Sequence, residues 1–196
     1  MTSIDAVENE RMHAQLDPLV GVTGPLRWSP RPIERSSVWN FCESVEDANP
    51  VYWDESIAAE SRFGRLIAPP QALMALSQRP WWIPECWRDR DDVVGIGNEG
   101  TPSTLAKQRS SALGYDTATN VTRNEEYLSP FGPGDGRLGQ AETLVEVSDL
   151  KATKVGVGTF LTTEIEFVAE TDGRPVARAR NVLLMYRPHG ERKGAA

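Results

Sequence analysis

Two alternating apolar runs joined at Asp172-Gly173 constrain this chain more than any other feature. Upstream, Leu161, Ile165 and Phe167 alternate with Thr162, Glu164 and Glu166; downstream, Val182, Leu184 and Tyr186 alternate with Leu183 and Met185. A period of two sends successive side chains to opposite faces of a strand. Asp-Gly between two such runs signals a tight hairpin. Residues 155–168 and 175–186 are therefore predicted to pair antiparallel, the second strand being apolar on both faces as in a sheet interior. Residues 138–148 form another run, with Thr143, Val145 and Val147 against Glu142 and Glu146, and residues 120–128 form a further one. Between those two lies the turn cluster Phe131-Gly132-Pro133-Gly134-Asp135-Gly136.

The first half reads as short helices. Residues 1–20 form a polar helical lead, broken by Gly21-Val22-Thr23-Gly24 and Pro25. In residues 31–45 an extended segment passes into a helix with Val38, Phe41, Cys42 and Val45 at helical spacing and Ser36-Ser37 as its cap. Asn49-Pro50 ends it, because the residue before proline avoids the helical region. Residues 54–62 read as a helix capped by Asp54, and residues 70–77 as an apolar helix that Pro70 can start. Residues 80–115 carry Trp81, Trp82 and Trp87 with Pro84 and Pro102 and little periodicity. They read as an insertion wrapping or lidding the core, with the tryptophans packed under it. Helices followed by antiparallel hairpins give an α+β fold.

At 196 residues the chain suits one domain. A net charge of −7 argues against a partner of nucleic acid or anionic lipid held by general electrostatics. Absence of a long apolar run argues against a membrane span, and the acidic start argues against a secretory leader. Cys42 and Cys86 then read as reduced thiols of a cytoplasmic protein. The only histidines, His13 and His189, stand near the two ends of the sequence, so no metal site is expected.

The segment Asp47-Ala48-Asn49-Pro50-Val51-Tyr52-Trp53-Asp54, with Ser61-Arg62-Phe63-Gly64-Arg65-Leu66-Ile67-Ala68-Pro69-Pro70 after it, resembles the active-site region of the MaoC-like (FAS1-like) hydratases and dehydratases. These are hot-dog proteins acting on acyl thioesters, with the pattern D-x-N-P-x-H and, further on, a His-Gly pair opening a central helix. Tyr127-Leu128-Ser129-Pro130-Phe131-Gly132-Pro133-Gly134-Asp135 resembles the family's strand-turn, and the stretch from Lys151 to Phe160 resembles the turn before its long strand. The resemblance covers about residues 28–187. It implies a single hot-dog, a curved antiparallel sheet wrapped around a central helix. The domain is bounded at 25–188 with an insertion at about 80–116, between a lead at 1–24 and a disordered tail at 189–196.

The departures from the family pattern carry the functional reading. Tyr52 stands where the family has His, and Pro69-Pro70 stand where it has His-Gly. Adding water to a 2-enoyl thioester needs a base for the water and an acid for the α carbon, a task suited to an Asp-His pair. Tyrosine titrates near pH 10 and is a poor substitute. The thioester oxygen gains charge and needs fixed donors, such as backbone N–H groups at a helix start, and proline has none. Such chains resemble the branch with a degenerate active site, close to the non-catalytic subunits of enoyl-CoA hydratases of steroid side-chain breakdown. That resemblance implies a catalytic MaoC-like partner with an intact Asp-His motif, in a heterodimer or heterotetramer. It implies an acyl-CoA substrate, with coenzyme A as part of that substrate and no separate cofactor. No residue is expected to be catalytic in its own right. Asp47, Asn49, Tyr52, Ala68, Pro69 and Pro70 are the expected substrate-binding positions, and Asp47 reads equally as a turn residue before Asn49-Pro50. A self-sufficient hydratase using Asp47 and Tyr52, and a non-enzymatic acyl-thioester-binding module, are the competing readings; a thioesterase is a weaker one.

Other motifs are expected to be idle. Gly95-Ile96-Gly97-Asn98-Glu99-Gly100 matches a dinucleotide fingerprint but lacks the strand and helix it needs. Asn120-Val121-Thr122 is a glycosylation sequon without an export signal. Arg178 and Arg180 read as solvent-facing or as intersubunit partners rather than as phosphate ligands.

Overall fold

The computed structural model describes residues 6–78, 82, 84–87 and 100–189. Among the described residues six strands form one antiparallel sheet in the order β1-β3-β5-β6-β2, with β4 paired to β5. The strands are β1 (Arg27–Trp28), β2 (Thr117–Tyr127), β3 (Leu138–Val147), β4 (Lys151–Ala152), β5 (Gly156–Ala169) and β6 (Pro175–Pro188). The hairpin expected at Asp172-Gly173 joins β5 and β6, with Gly173 at φ 69° and Ile165 opposite Ala179. Among the described residues there are five α-helices: α1 (Ala6–Leu16), α2 (Arg35–Val45), α3 (Glu55–Glu60), α4 (Leu73–Ser77) and α5 (Pro102–Ala112).

The helices divide the core in two. One cluster gathers Val38, Cys42, Tyr52, Leu73, Phe131, Phe167 and Val176 around α2 and α4. The other gathers Met12, Leu16, Ala106, Tyr115, Leu144, Leu161 and Met185 around α1 and α5. The N-terminal lead is thus seated on the sheet: Met12 and Leu16 are fully buried, one turn apart on one face of α1. The expected central helix starts as anticipated at Pro70, as a 3-10 turn over Pro70–Ala72 that passes into α4.

Three expectations need correction. The faces of β3 differ from the expected alternation. A bulge between Leu144 and Glu146 breaks the alternation, so the inward residues before it are Leu138 and Leu144, with Glu142 on the same side. Glu142 there takes the backbone N–H and hydroxyl of Ser103 at 2.7 and 2.9 Å, holding the start of α5. Within the segment read as an insertion, residues 102–112 form α5, whose Ala106 and Ser110 are buried. Its Ser- and Thr-rich composition hid the helix; Thr101 caps it and Pro102 opens it. Lastly, α2 begins at Arg35 with Glu34 as its cap residue, placing Ser36 and Ser37 inside the first turn.

Trp82 is 72% exposed and does not pack under a loop. Trp81 and the side chain of Trp87 lie outside the described residues, as do the glycine-rich motif up to Glu99 and the tail from 190. Arg178 and Arg180 lie on the outer face of β6, where they pair with Glu166 at 3.4 Å and Glu164 at 2.6 Å within the chain.

Candidate functional site

The Asp47–Tyr52 loop is built by backbone caps and two indoles. Helix α2 ends with Glu46 in the left-handed region at φ 55°, and the Asp47 N–H reaches back to the Cys42 carbonyl at 2.9 Å. Asp47 Oδ1 then accepts the Asn49 N–H at 3.0 Å, and Asn49 Oδ1 accepts the Val51 N–H at 3.3 Å, two successive Asx turns. Trp39 and Trp53 stack with centroids 6.0 Å apart. Their N–H groups donate to the carbonyls of Tyr52 at 3.1 Å and of Asp47 at 2.8 Å, pinning both ends of the loop. Asp47 is thus engaged as a turn residue.

A cleft of about 330 Å³ opens beside this loop. Asn49, Tyr52, Ala68 and Pro70 line it together, as do Arg62, Tyr127 and Phe131. The sequence motif therefore does bring four of its six expected positions to one surface. Asp47 and Pro69 stand behind it: Asp47 supports the loop, and Pro69 is fully buried. Arg62, Tyr127 and Phe131 were not foreseen, since the end of β2 and the turn after it meet residues 62–70 only in space. Ala68 N–H donates to the Phe131 carbonyl at 2.7 Å, and Gly132 sits so close to Ile67 that a Cβ there would lie 2.8 Å from its Cα. Among the residues lining the cleft, Arg62 is the single charged one, its guanidinium 4.7 Å from the centroid of Phe63.

The cleft is poor in proton chemistry. Burial, and then the charge of Asp47, push the Tyr52 phenol above its ordinary value of 10, while Asn49 pulls the other way. The Cys42 thiol is raised by the same two causes. Burial and a 2.5 Å bond to Glu125 push Tyr127 up to about 12. All three stay protonated at neutral pH. Both imidazoles are engaged elsewhere: His13 lies between Asp17 and Asp149, and His189 bonds the Thr153 carbonyl. At the helix start Ala68 N–H is already spent and Pro69 and Pro70 have none, so the first amide along that stretch is that of Gln71. Among the described residues no cluster of His, Cys, Asp and Glu could hold a metal.

A family model described as FAS1-like, dehydratase domain region, matches residues 22–179. The chain belongs to this MaoC-like hot-dog family. Members of the family are enoyl-CoA hydratases and dehydratases. Among relatives, the probable enoyl-CoA hydratase alpha subunit of Thermomonospora curvata is 26% identical over 187 residues, 93% of this chain and 54% of that protein. The chain thus spans about half the length of that relative. Among solved structures, the ChsH1–ChsH2 complex of Mycobacterium tuberculosis contains a chain matching with a TM-score of 0.75 at 18% identity, covering 97% of each. The MaoC-like dehydratase of Rhodospirillum rubrum matches with a TM-score of 0.55 at 18% identity, over 86% of this chain and 95% of that one. These two likenesses speak to the fold, and they agree with the antiparallel sheet and short helix described above.

Proposed function

We propose that this chain is the non-catalytic, tunnel-forming subunit of a heteromeric 2-enoyl-CoA hydratase that acts on a bulky acyl-CoA. The carrying observation is a substrate-sized cleft in the family's active-site position with no imidazole, no ionised acid on its lining, and two prolines where the oxyanion donors belong. Hydration then requires a second hot-dog subunit that brings an Asp-His pair and a free amide to the thioester. This chain supplies apolar wall through Ile67, Pro70 and Phe131, and Arg62 at the cleft is the group suited to a coenzyme A phosphate. Coenzyme A enters as part of the substrate, with no separate cofactor. The alpha-subunit name of the similar protein supports a heteromer, as a heterodimer or heterotetramer, and the steroid side-chain enoyl-CoA expected from the sequence resemblance is the first substrate to try. Free thiols at Cys42 and Cys86 suit the cytoplasm.

The test is co-expression with neighbouring reading frames, pull-down, and a hydration assay on the complex and on the chain alone. The complex is expected to hydrate enoyl-CoA and the chain alone to be inert. Rapid hydration by the chain alone, abolished by Tyr52→Phe, would overturn the proposal in favour of a self-sufficient enzyme. Coenzyme A affinity without any catalytic partner would instead favour a binding module.

A further inference from the structure

The outer face of β5 and β6 is patterned in two directions. Leu161, Ile165 and Phe167 of β5 and Ala177, Ala179 and Met185 of β6 belong to the two core clusters. The residues between them point the other way. Phe160, Thr162, Glu164 and Glu166 of β5 there stand opposite Leu184, Val182, Arg180 and Arg178 of β6. Along the strands this face passes from apolar to charged. Across them it divides by sign, with carboxylates on β5 and guanidiniums on β6. Arg180 pairs with Glu164 at 2.6 Å and Arg178 with Glu166 at 3.4 Å, yet all four side chains stay about half to two-thirds exposed. Phe160, Val182 and Leu184 form an apolar patch that belongs to neither core cluster.

This pattern is complementary to itself. Rotating a second copy by half a turn about an axis along the strands, midway between β5 and β6, stacks outer face on outer face and exchanges left for right. Each β5 then lies over the β6 of the other copy, row for row. Glu164 and Glu166 face the second copy's Arg180 and Arg178, and Phe160 faces its Leu184. The flanking strands agree. There β3 lies over β2, so that Ala141, Thr143 and Glu146 face the second copy's Glu126, Asn124 and Thr122. No carboxylate stands over a carboxylate in these rows. Turning the copy end over end instead sets the charged rows on Phe160 and Leu184 and desolvates charges against apolar surface.

We propose that the outer face of the sheet is a self-association surface, on which a second copy of this chain docks with β5 of each over β6 of the other. From Gly158 to Glu166 the face is about 27 Å long, and four strands make it about 19 Å wide, so two copies bury about 1,000 Å², the size of a weak, transient interface. The dilute chain is therefore monomeric and pairs when concentrated. The proposal goes beyond the hydratase-subunit reading and does not depend on it; in the proposed assembly the same contact joins two heterodimers into a heterotetramer.

The test is sedimentation equilibrium of the full chain, from about 1 µM to about 200 µM, a range that brackets a weak contact. Glu164→Arg with Glu166→Arg makes the face cationic, and Arg178→Glu with Arg180→Glu makes it anionic. The substituted side chains are exposed, so both variants are expected to fold, which far-ultraviolet circular dichroism checks. Wild type should dimerise at the upper end of the range. Each double variant alone should weaken self-association by about tenfold or more, because like charges then oppose each other across the contact. An equimolar mixture of the two should associate again, since every β5 then meets a β6 of opposite sign. A wild type that stays monomeric throughout overturns the proposal. So does a wild-type dimer that neither double variant weakens, which assigns the contact to another surface such as the edge strand β2. A mixture that does not associate overturns it as well.

Discussion

At the cleft end of the sheet, burial and the nearby Asp47 push Tyr52 and Cys42 away from ionisation. At the α1 end, two carboxylates pull His13 towards its charged form: Nδ1 lies 2.9 Å from Asp17 and Nε2 lies 2.9 Å from Asp149. The imidazole thus holds a helix in place, while the phenol and thiol beside the cleft loop stay protonated. Around the cleft loop the packing is close. Trp39 and Trp53 hold the loop by hydrogen bonds to its carbonyls, and Pro69 is fully buried at the helix start. On the proposed reading, a well-packed wall is what a supporting subunit needs.

If both ends are equally rigid, both should be intolerant of small backbone insults. The largest effect is expected at the α1 end. A Cβ on Gly158 would lie 2.2 Å from the Met185 carbonyl oxygen and 2.6 Å from Tyr186 Cβ, so β5 and β6 must part to admit it. Gly158→Ala should lower unfolding stability by about 3 kcal/mol in urea titrations. A loss below about 1 kcal/mol would show that this end yields.

The cleft end offers the next test. Asp135, buried under the turn that walls the cleft, accepts the Gly132 N–H at 2.8 Å and pairs with Arg65 at 2.7 Å and Arg174 at 2.9 Å. Asp135→Asn keeps the shape but leaves two guanidiniums without their shared charge. Because both arginines are partly solvated, a cost of about 2 kcal/mol is expected rather than the full penalty of a buried pair. If the urea midpoint does not move, the turn is held by its prolines and glycines alone, and the two ends differ in how they are fixed.

These particulars also show what the sequence could reveal. The strands β2, β3, β5 and β6 were legible because alternation and Asp172-Gly173 are local signals. The faces of β3 were not, because the bulge at Leu144 and Glu146 follows from pairing with β5 rather than from β3 itself. Docking of α1 left a faint trace, Met12 and Leu16 spaced by four in a polar helix, and α5 left less, since its buried positions are Ala106 and Ser110. At the cleft, the motif found Asn49, Tyr52, Ala68 and Pro70. Arg62, Tyr127 and Phe131 join them only through tertiary packing, and the facing of Glu164 with Arg180 exists only through strand register.

A smaller effect separates the ends by pH. His13 has a folded pKa above its ordinary 6.5, so its contribution is complete below that value and is lost as pH rises through the raised one. Asp149, lowered from 3.8 by Asn9 and His13, contributes above that value and loses its contribution as pH falls through the depressed one. The melting-temperature difference between wild type and His13→Gln should therefore be widest at about pH 5 to 6 and narrow by about pH 8. A difference that stays flat across that range would mean His13 acts through neutral hydrogen bonds only.

The smallest effect is expected on the outer face of the sheet. Arg178 and Glu166 have side chains 60% and 67% exposed and meet at 3.4 Å, so solvent screens the pair and its geometry is loose. Arg178→Ala in the isolated chain should change stability by no more than about 0.5 kcal/mol. The same substitution in the complex asks a different question. If the partner covers this face, the pair is desolvated there, and removing Arg178 leaves Glu166 buried without its cation, which weakens association well beyond the effect on the chain alone. If association is unchanged, the outer face remains in solvent and the partner must meet the chain along the concave face or the edge strand β2, where Arg123 and Glu125 already form a less exposed pair of the same kind.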